Sequence, residues 1–246
     1  MPPTSADPPH LEPLPAGFAE GREALHRLAA HVLAPARKAA AGRIGLRATA
    51  GGFGTPVFGD AERLRVEGAS LVREQAGDVR STAITSLRAA ADFAGVTLAA
   101  DPGIGSDPPP LGDADAPLPV SAAAGAALGA WFAFSAAVLG ELRDRFNGEG
   151  RPCSEVQLWP EHFDLGCNID GVNFGCSPGD GHVGEPYVYV GPWNTDGFPD
   201  GGFWNAPFGA VLPYAELLAA GDQRATALGF LRGGAERALE RASRSS

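Results

Sequence analysis

The run LWPEHFDLGCNIDGVNFGCSPGDGHVGEPYVYVGPWNTDGFPDGGFW, Leu158 to Trp204, decides the fold class and shows where a site is to be sought. It holds three of the four tryptophans (Trp159, Trp193, Trp204), two of the three tyrosines (Tyr187, Tyr189) and two of the five histidines (His162, His182), with Asp164 and Glu185 close by. Large aromatics beside ionisable groups and glycines are the composition of a ligand pocket. The run also breaks into short alternating segments separated by Gly, Pro and Asp, which predicts antiparallel strands at 155–159, 162–168, 172–176 and 186–190.

Working outward, the segment before this run predicts a long helix. Leu128, Trp131, Phe132, Ser135, Val138, Leu139, Leu142 and Phe146 recur at spacings of three and four, and Asn147-Gly148 supplies a stop. Beyond the run, Leu212-Pro213-Tyr214 leads into a short helix. Asp222 then caps a final one, on which Ala227, Leu228, Leu231, Ala235 and Leu239 form the apolar face. The first half of the chain has the same outline. A helix carries Phe18, Leu25, Leu28, Val32 and Ala36 on one face, and Pro35 is expected to kink or end it. His26 and His31 on this helix read as ordinary helix histidines. Short strands follow at 42–49, 64–66, 70–74 and 78–85, and Thr85 or Ser86 can cap a helix over 87–93.

The expected fold is therefore α+β, with antiparallel sheets packed on long helices in two similar halves sharing a core. The expected divisions are a disordered proline-rich arm at 1–15, an N-terminal half at 16–98, an acidic proline-rich linker at 99–119 and a C-terminal half at 120–242 that carries the site.

Composition narrows the function classes. A net charge of −10 argues against a nucleic-acid backbone or an anionic membrane as partner, since both need clustered Lys and Arg. The stretch 118–140 is uncharged and contains Gly125-x-x-x-Gly129, but its large side chains form one stripe, which favours a buried helix over a membrane span. Three cysteines, Cys153, Cys167 and Cys176, with no C-x-x-C spacing, indicate neither a disulfide framework nor a zinc knuckle. No basic residue precedes Arg22 and no apolar core follows the start, so no signal peptide is read, and a cytoplasmic location is expected. Gly51-Gly52-Phe53-Gly54-Thr55-Pro56 lacks the Gly-Lys-Ser/Thr of a phosphate loop and reads as a tight turn.

Strand alternation orders the candidate site. It places His162 and Asp164 on one face with Phe163 and Leu165 opposite, and Glu185, Tyr187 and Tyr189 on one face with Val188 and Val190 opposite. If these two strands pair, one cleft receives His162, Asp164, Glu185, Tyr187 and Tyr189, with His182 on the joining loop. Three functions are compatible. In the first, the protein binds a small molecule in an aromatic-lined polar cleft walled by Trp159, Tyr187, Tyr189, Trp193 and Trp204. Acid–base catalysis there would use His162, Asp164, His182 and Glu185. In the second, His162, His182 and Glu185 hold a divalent metal, zinc or iron, in a hydrolase or oxygenase. The third is a non-catalytic interaction protein with Trp193 and Trp204 as anchors. The opposing reading makes the tryptophans core and His182 a loop residue.

The chain also resembles a bacterial, actinobacterial-type family described as a domain of unknown function. The marks are Trp159, Phe163, Asp164 and Leu165 in a W-x-x-x-F-D-L pattern; His182 and Glu185; Gly191 and Trp193; and Leu212, Pro213 and Tyr214. It departs from that pattern in separating His182 from Glu185 by Val183-Gly184. The resemblance implies a soluble bacterial protein and carries no activity with it.

Overall fold

Helix α1 (Phe18–Leu28) buries Phe18, Leu25 and Leu28, which its periodicity places on one face, and Ala24 as well. Pro35 does not end the helical run. In this computed structural model, which describes residues 8–181, 183–193 and 201–244 and side chains of the last helix as far as Ala238, the chain passes through a five-residue π segment, Ala29–Leu33. It then continues as α2 (Ala34–Ala41) with Pro35 in the first turn. Proline has no N–H to bond the carbonyl four residues back, and its ring crowds that carbonyl. The wider turn, in which Ala34 N–H reaches Ala29 O, relieves the clash.

Three side chains of this helical run hold the proline-rich stretch 99–119. His31 Nε2 donates to Pro109 O at 2.7 Å, Arg27 donates to Leu111 O, and Lys38 to Gly103 O. Ile104, Ala114 and Leu118 are buried. The stretch expected to be a surface linker is thus a strap packed on a helix, its carbonyls satisfied by that helix's donors.

The first sheet is a meander of β1 (Arg47–Thr49), β2 (Gly52–Gly54), β3 (Glu62–Glu67), β4 (Ser70–Gln75) and β5 (Asp78–Ala83), in that order. The glycine-rich stretch makes the β1–β2 turn, with Gly51 at φ 72°. Phe53, Leu64, Val66 and Leu71 are buried, while an ion-pair ladder runs across the other face, Arg63 and Arg65 meeting Glu74 at 2.7 and 2.8 Å. Helix α3 (Leu87–Ala94) follows, Ser86 Oγ accepting from Ala89 N–H at 3.2 Å as its cap.

Helix α4 (Ala122–Gly148) carries the predicted apolar stripe and ends at the predicted Asn147-Gly148 stop. It is long and apolar enough to cross a membrane by length and composition, but more than half of its most apolar window is buried within the protein. Its two spaced glycines seat it against turns of the first sheet. A Cβ on Gly125 would lie 2.5 Å from Gly68 C, and one on Gly129 would lie 2.6 Å from Gly51 C. The G-x-x-x-G spacing thus serves helix-on-turn packing.

The second sheet has the order β10-β9-β8-β7-β6, from β6 (Gln157–Trp159), β7 (Asp164–Ile169), β8 (Val172–Ser177), β9 (Tyr187–Pro192) and β10 (Ala210–Pro213). Helices α5 (Tyr214–Ala219) and α6 (Gln223–Arg244) complete the chain, and Asp222 Oδ1 accepts from Ala225 N–H at 2.8 Å to cap α6. Leu239, expected on the apolar face of α6, lies among the side chains not described. The protein is α+β with two antiparallel sheets, each a sequential meander followed by helix, as the two-halves reading requires.

The chain forms two compact units. The N-terminal unit is Pro13–Ala133 with Gln157–Asp164; the C-terminal unit is Met1–Glu12, Phe134–Val156 and Leu165–Ser246. The boundary therefore falls inside α4 and at the start of β7, not at 99–119. Phe53, Phe132 and Phe163 form the heart of the N-terminal unit, meeting edge to face at 5.1–5.7 Å. In the C-terminal unit the expected disordered arm is partly anchored. Leu11 is buried, and Gln223 bonds its N–H and carbonyl at 2.7 and 3.0 Å. Residues 1–7 of that arm lie outside the described residues.

Candidate functional site

The predicted site residues fall in both units. In the N-terminal unit the strand expected at 162–168 is shortened by a turn over Pro160–Phe163. Proline at 160 cannot continue the ladder. The chain instead closes with Phe163 N–H donating to Trp159 O at 2.7 Å, and Phe163 takes φ 60°. Alternation therefore fails at one position. His162 is exposed on the turn, Phe163 is buried, and Asp164 opens β7 as a buried residue. His162 and Asp164 do not share a strand face. Trp159, at 37 % exposure, stands at the end of β6.

His26, which the sequence presents as an ordinary helix histidine, is a strongly perturbed group of this unit. Its ring stacks on Phe163, centroids 5.0 Å apart, and Nε2 lies 3.1 and 3.2 Å from the carbonyls of Pro160 and Glu161. Facing two carbonyls, Nε2 is the protonated nitrogen. Burial lowers its pKa to about 4, so the ring is neutral at ordinary pH and pins the 160–163 turn.

In the C-terminal unit β8 lies between β7 and β9, so the strands expected to pair directly do not. Glu185 is exposed and precedes β9. Val188 and Val190 are fully buried, as alternation predicts. On the other face Tyr187 is covered because its hydroxyl donates to Asp180 Oδ2 at 2.6 Å, while Tyr189 stays half-buried. Asp180 also accepts from Val183 N–H at 2.8 Å and so shapes the loop before β9. Trp204 is buried and meets Phe203 edge to face; Phe203 stacks on Phe230 of α6 under the Arg237 guanidinium. Trp204 is thus buried beside half-buried aromatics. His182 lies outside the described residues. Among those described, no group of three or more His, Cys, Asp or Glu side chains could hold a metal ion.

The aromatics that remain open belong to the outer face of the second sheet. Register places Tyr187, Tyr189 and Gly191 of β9 opposite Ser177, Gly175 and Asn173 of β8, and Asn173 opposite Asn168 of β7. Tyr189 lies over Gly175, where a Cβ would come within 2.5 Å of ring atom Cε1. Phe208 meets it edge on at 6.1 Å. Trp193 is 73 % exposed, yet it is held in place. Its Nε1–H donates to Asn173 Oδ1 at 3.2 Å and its backbone N–H to Gly171 O at 3.2 Å. Asn168 Nδ2 donates to the same Asn173 oxygen at 2.9 Å, and Asn168 Oδ1 accepts from Gly171 N–H at 3.1 Å. These bonds occupy the Asn173 carboxamide oxygen, and among the described residues no bond engages its Nδ2 donors.

Sequence reasoning missed Asn168, Asn173 and Phe208. A signal existed for the first two. Asp170-Gly171, at φ 51° and 81°, is a two-residue hairpin turn of the Asp-Gly kind, and it sets Asn168 across from Asn173.

A second concavity, a cleft of about 320 Å³ in the same unit, is lined by Pro8–His10, Phe134 and Gly221–Arg224. Several of its polar side chains have internal partners: Gln223 with Leu11, Asp222 as the α6 cap, and Arg224 with Glu141.

The cysteines are poor nucleophiles. Burial pushes the Cys167 thiol up to about 12 and raises Cys153 above its ordinary value. With Cys167 and Cys176 buried and Cys153 partly exposed, a thiol-reactive dye should modify one cysteine in the native state and three in denaturant. Two fast native equivalents would contradict the packing. Compared with family models, with curated proteins and with solved structures, the chain gives no match.

Proposed function

We propose that the protein binds a small neutral molecule with a flat non-polar face, on the outer face of its second sheet, and does no chemistry on it. The observation that carries this reading is a tryptophan that is both exposed and fixed. An exposed indole normally gains stability by folding onto the protein, so bonding that holds it out in solvent favours a stacking partner. Its N–H is already engaged by Asn173, so the ring offers only its π-faces, while Asn173 Nδ2 supplies donors at the rim.

Binding is favoured over catalysis by the groups around the indole. They are the carboxamides of Asn168 and Asn173, which recognise ligands but do not exchange protons readily near neutral pH. The charged residue of that hairpin turn, Asp170, is paired with Arg151 at 2.9 Å.

Tryptophan fluorescence tests this directly. Trp131 and Trp204 are buried, so acrylamide quenching should report chiefly Trp193, with a smaller share from Trp159. A panel of methyl glycosides and neutral heteroaromatics should contain a ligand that shields this signal, and Trp193→Ala should weaken its binding ten-fold or more. The reading fails if nothing in the panel binds, or if the variant binds equally well.

A further inference from the structure

Resting on that reading, we infer that the ligand is a chain of linked neutral sugar rings lying along β9, with Trp193 and Tyr189 as two separate stacking positions. Residues two apart along an extended strand point to one face, so Tyr189, Gly191 and Trp193 form a single row. Tyr189 and Trp193 are four residues apart, roughly 13 Å at the ordinary rise of an extended strand, too far for one pyranose to cover both rings.

Between them stands Gly191, whose missing side chain leaves the row open. A Cβ there would find Phe208 O at 3.5 Å and Asn173 Cβ at 4.0 Å, ordinary contact distances. The position could hold a side chain and does not. Gly175 does the complementary work one strand over, letting the Tyr189 ring lie down on the sheet. The result is two aromatic surfaces with a gap between them and Asn173 donors beside the gap.

Sugar chemistry fits these features together. The C–H face of a pyranose stacks on an aromatic ring without needing charge, and its hydroxyl oxygens accept from carboxamide N–H groups. A linked chain spans both rings, and two stacking positions joined by one ligand reinforce each other.

Isothermal titration of the full chain with linear gluco-, xylo- and N-acetylglucosamine oligosaccharides of one to six rings tests the inference. One series should bind at least ten-fold more tightly at four rings than at one. Tyr189→Ala should remove that gain. Tyr189→Phe, which keeps the stacking face, should retain the gain. Gly191→Val, which fills the gap without removing either ring, should also abolish it, and unchanged thermal unfolding would show the fold intact. Affinity that does not rise with length, or rises equally in Gly191→Val, overturns the inference but leaves a Trp193-dependent single-ring ligand standing. Failure of every sugar, while a heteroaromatic binds at Trp193, overturns the sugar chain alone. No ligand of either class overturns both proposals.

Discussion

Gly125→Ala should destabilise the protein by about 3 kcal/mol or more, whereas Gly140→Ala, the same change about four turns further along α4, should stabilise it by roughly 0.5–1 kcal/mol. Helix propensity favours alanine at both positions, since glycine loses more backbone entropy on folding. The surroundings decide the sign. At Gly140 an added methyl meets nothing within 4 Å. At Gly125 it would sit 2.5 Å from Gly68 C and 2.8 Å from Gly68 Cα, in the tight turn between β3 and β4. Those are backbone atoms with no rotamer to move, so either α4 lifts off the sheet or the turn opens. Urea unfolding of the two variants checks both signs. A Gly125→Ala protein as stable as the parent would mean that α4 does not rest on that turn.

Acid should weaken the fold through His26. Its pKa is near 6.5 when unfolded and about 4 in the native protein, so between these values the unfolded chain binds the extra proton. The stability due to this ring is fully present above pH 6.5 and is lost as pH falls through 4. Each tenfold difference in proton affinity between the two states is worth about 1.36 kcal/mol, so the loss between pH 7 and pH 4 is about 3 kcal/mol. Protonation would place a charge on a ring packed flat against Phe163, in the aromatic cluster of the N-terminal unit. His26→Phe keeps the stacking and removes the titration. Its unfolding free energy should fall by about 3 kcal/mol less than the parent's over the same pH interval. Equal pH slopes in the two proteins would assign the acid sensitivity elsewhere.

The fold is legible in the sequence where one period dominates a long segment. Helix α4, the caps at Ser86 and Asp222 and the β3–β5 meander follow directly from spacing and turn chemistry. The pattern misleads where a single residue changes the local rule. Pro35 reads as a kink or a stop because sequence does not show that the preceding turn can widen. Pro160 reads as a pause in a strand, and the turn it starts removes His162 from the face of Asp164. The strap at 99–119 has the composition of a linker; its order comes from donors on Arg27, His31 and Lys38, far away in sequence.

The candidate site is legible in part. Aromatic content points to the right stretch, and alternation puts Tyr189 opposite Val188 and Val190. Burial then sorts the tryptophans, with Trp204 in the core and Trp193 outside, and only Trp193's bonding distinguishes a platform from an ordinary exposed side chain. The proposed site leans on asparagines because a carboxamide pair across a hairpin is invisible until the register is known.

The widened turn before Pro35 also lets the first helical run carry one extra residue without changing which way its later side chains face. Lys38 and Arg37 reach Gly103 and Gly45 from the far side of that turn, whereas Arg27 and His31 grip their carbonyls from its near side or within it. The wide turn holds one residue more than an α-helical turn needs, so deleting any one residue between 29 and 33 would restore uniform winding with the downstream helix facing nearly the same way. A gap in a related sequence at that place should therefore leave both downstream basic residues in use, and should be accompanied by loss of the proline whose ring the wider turn accommodates.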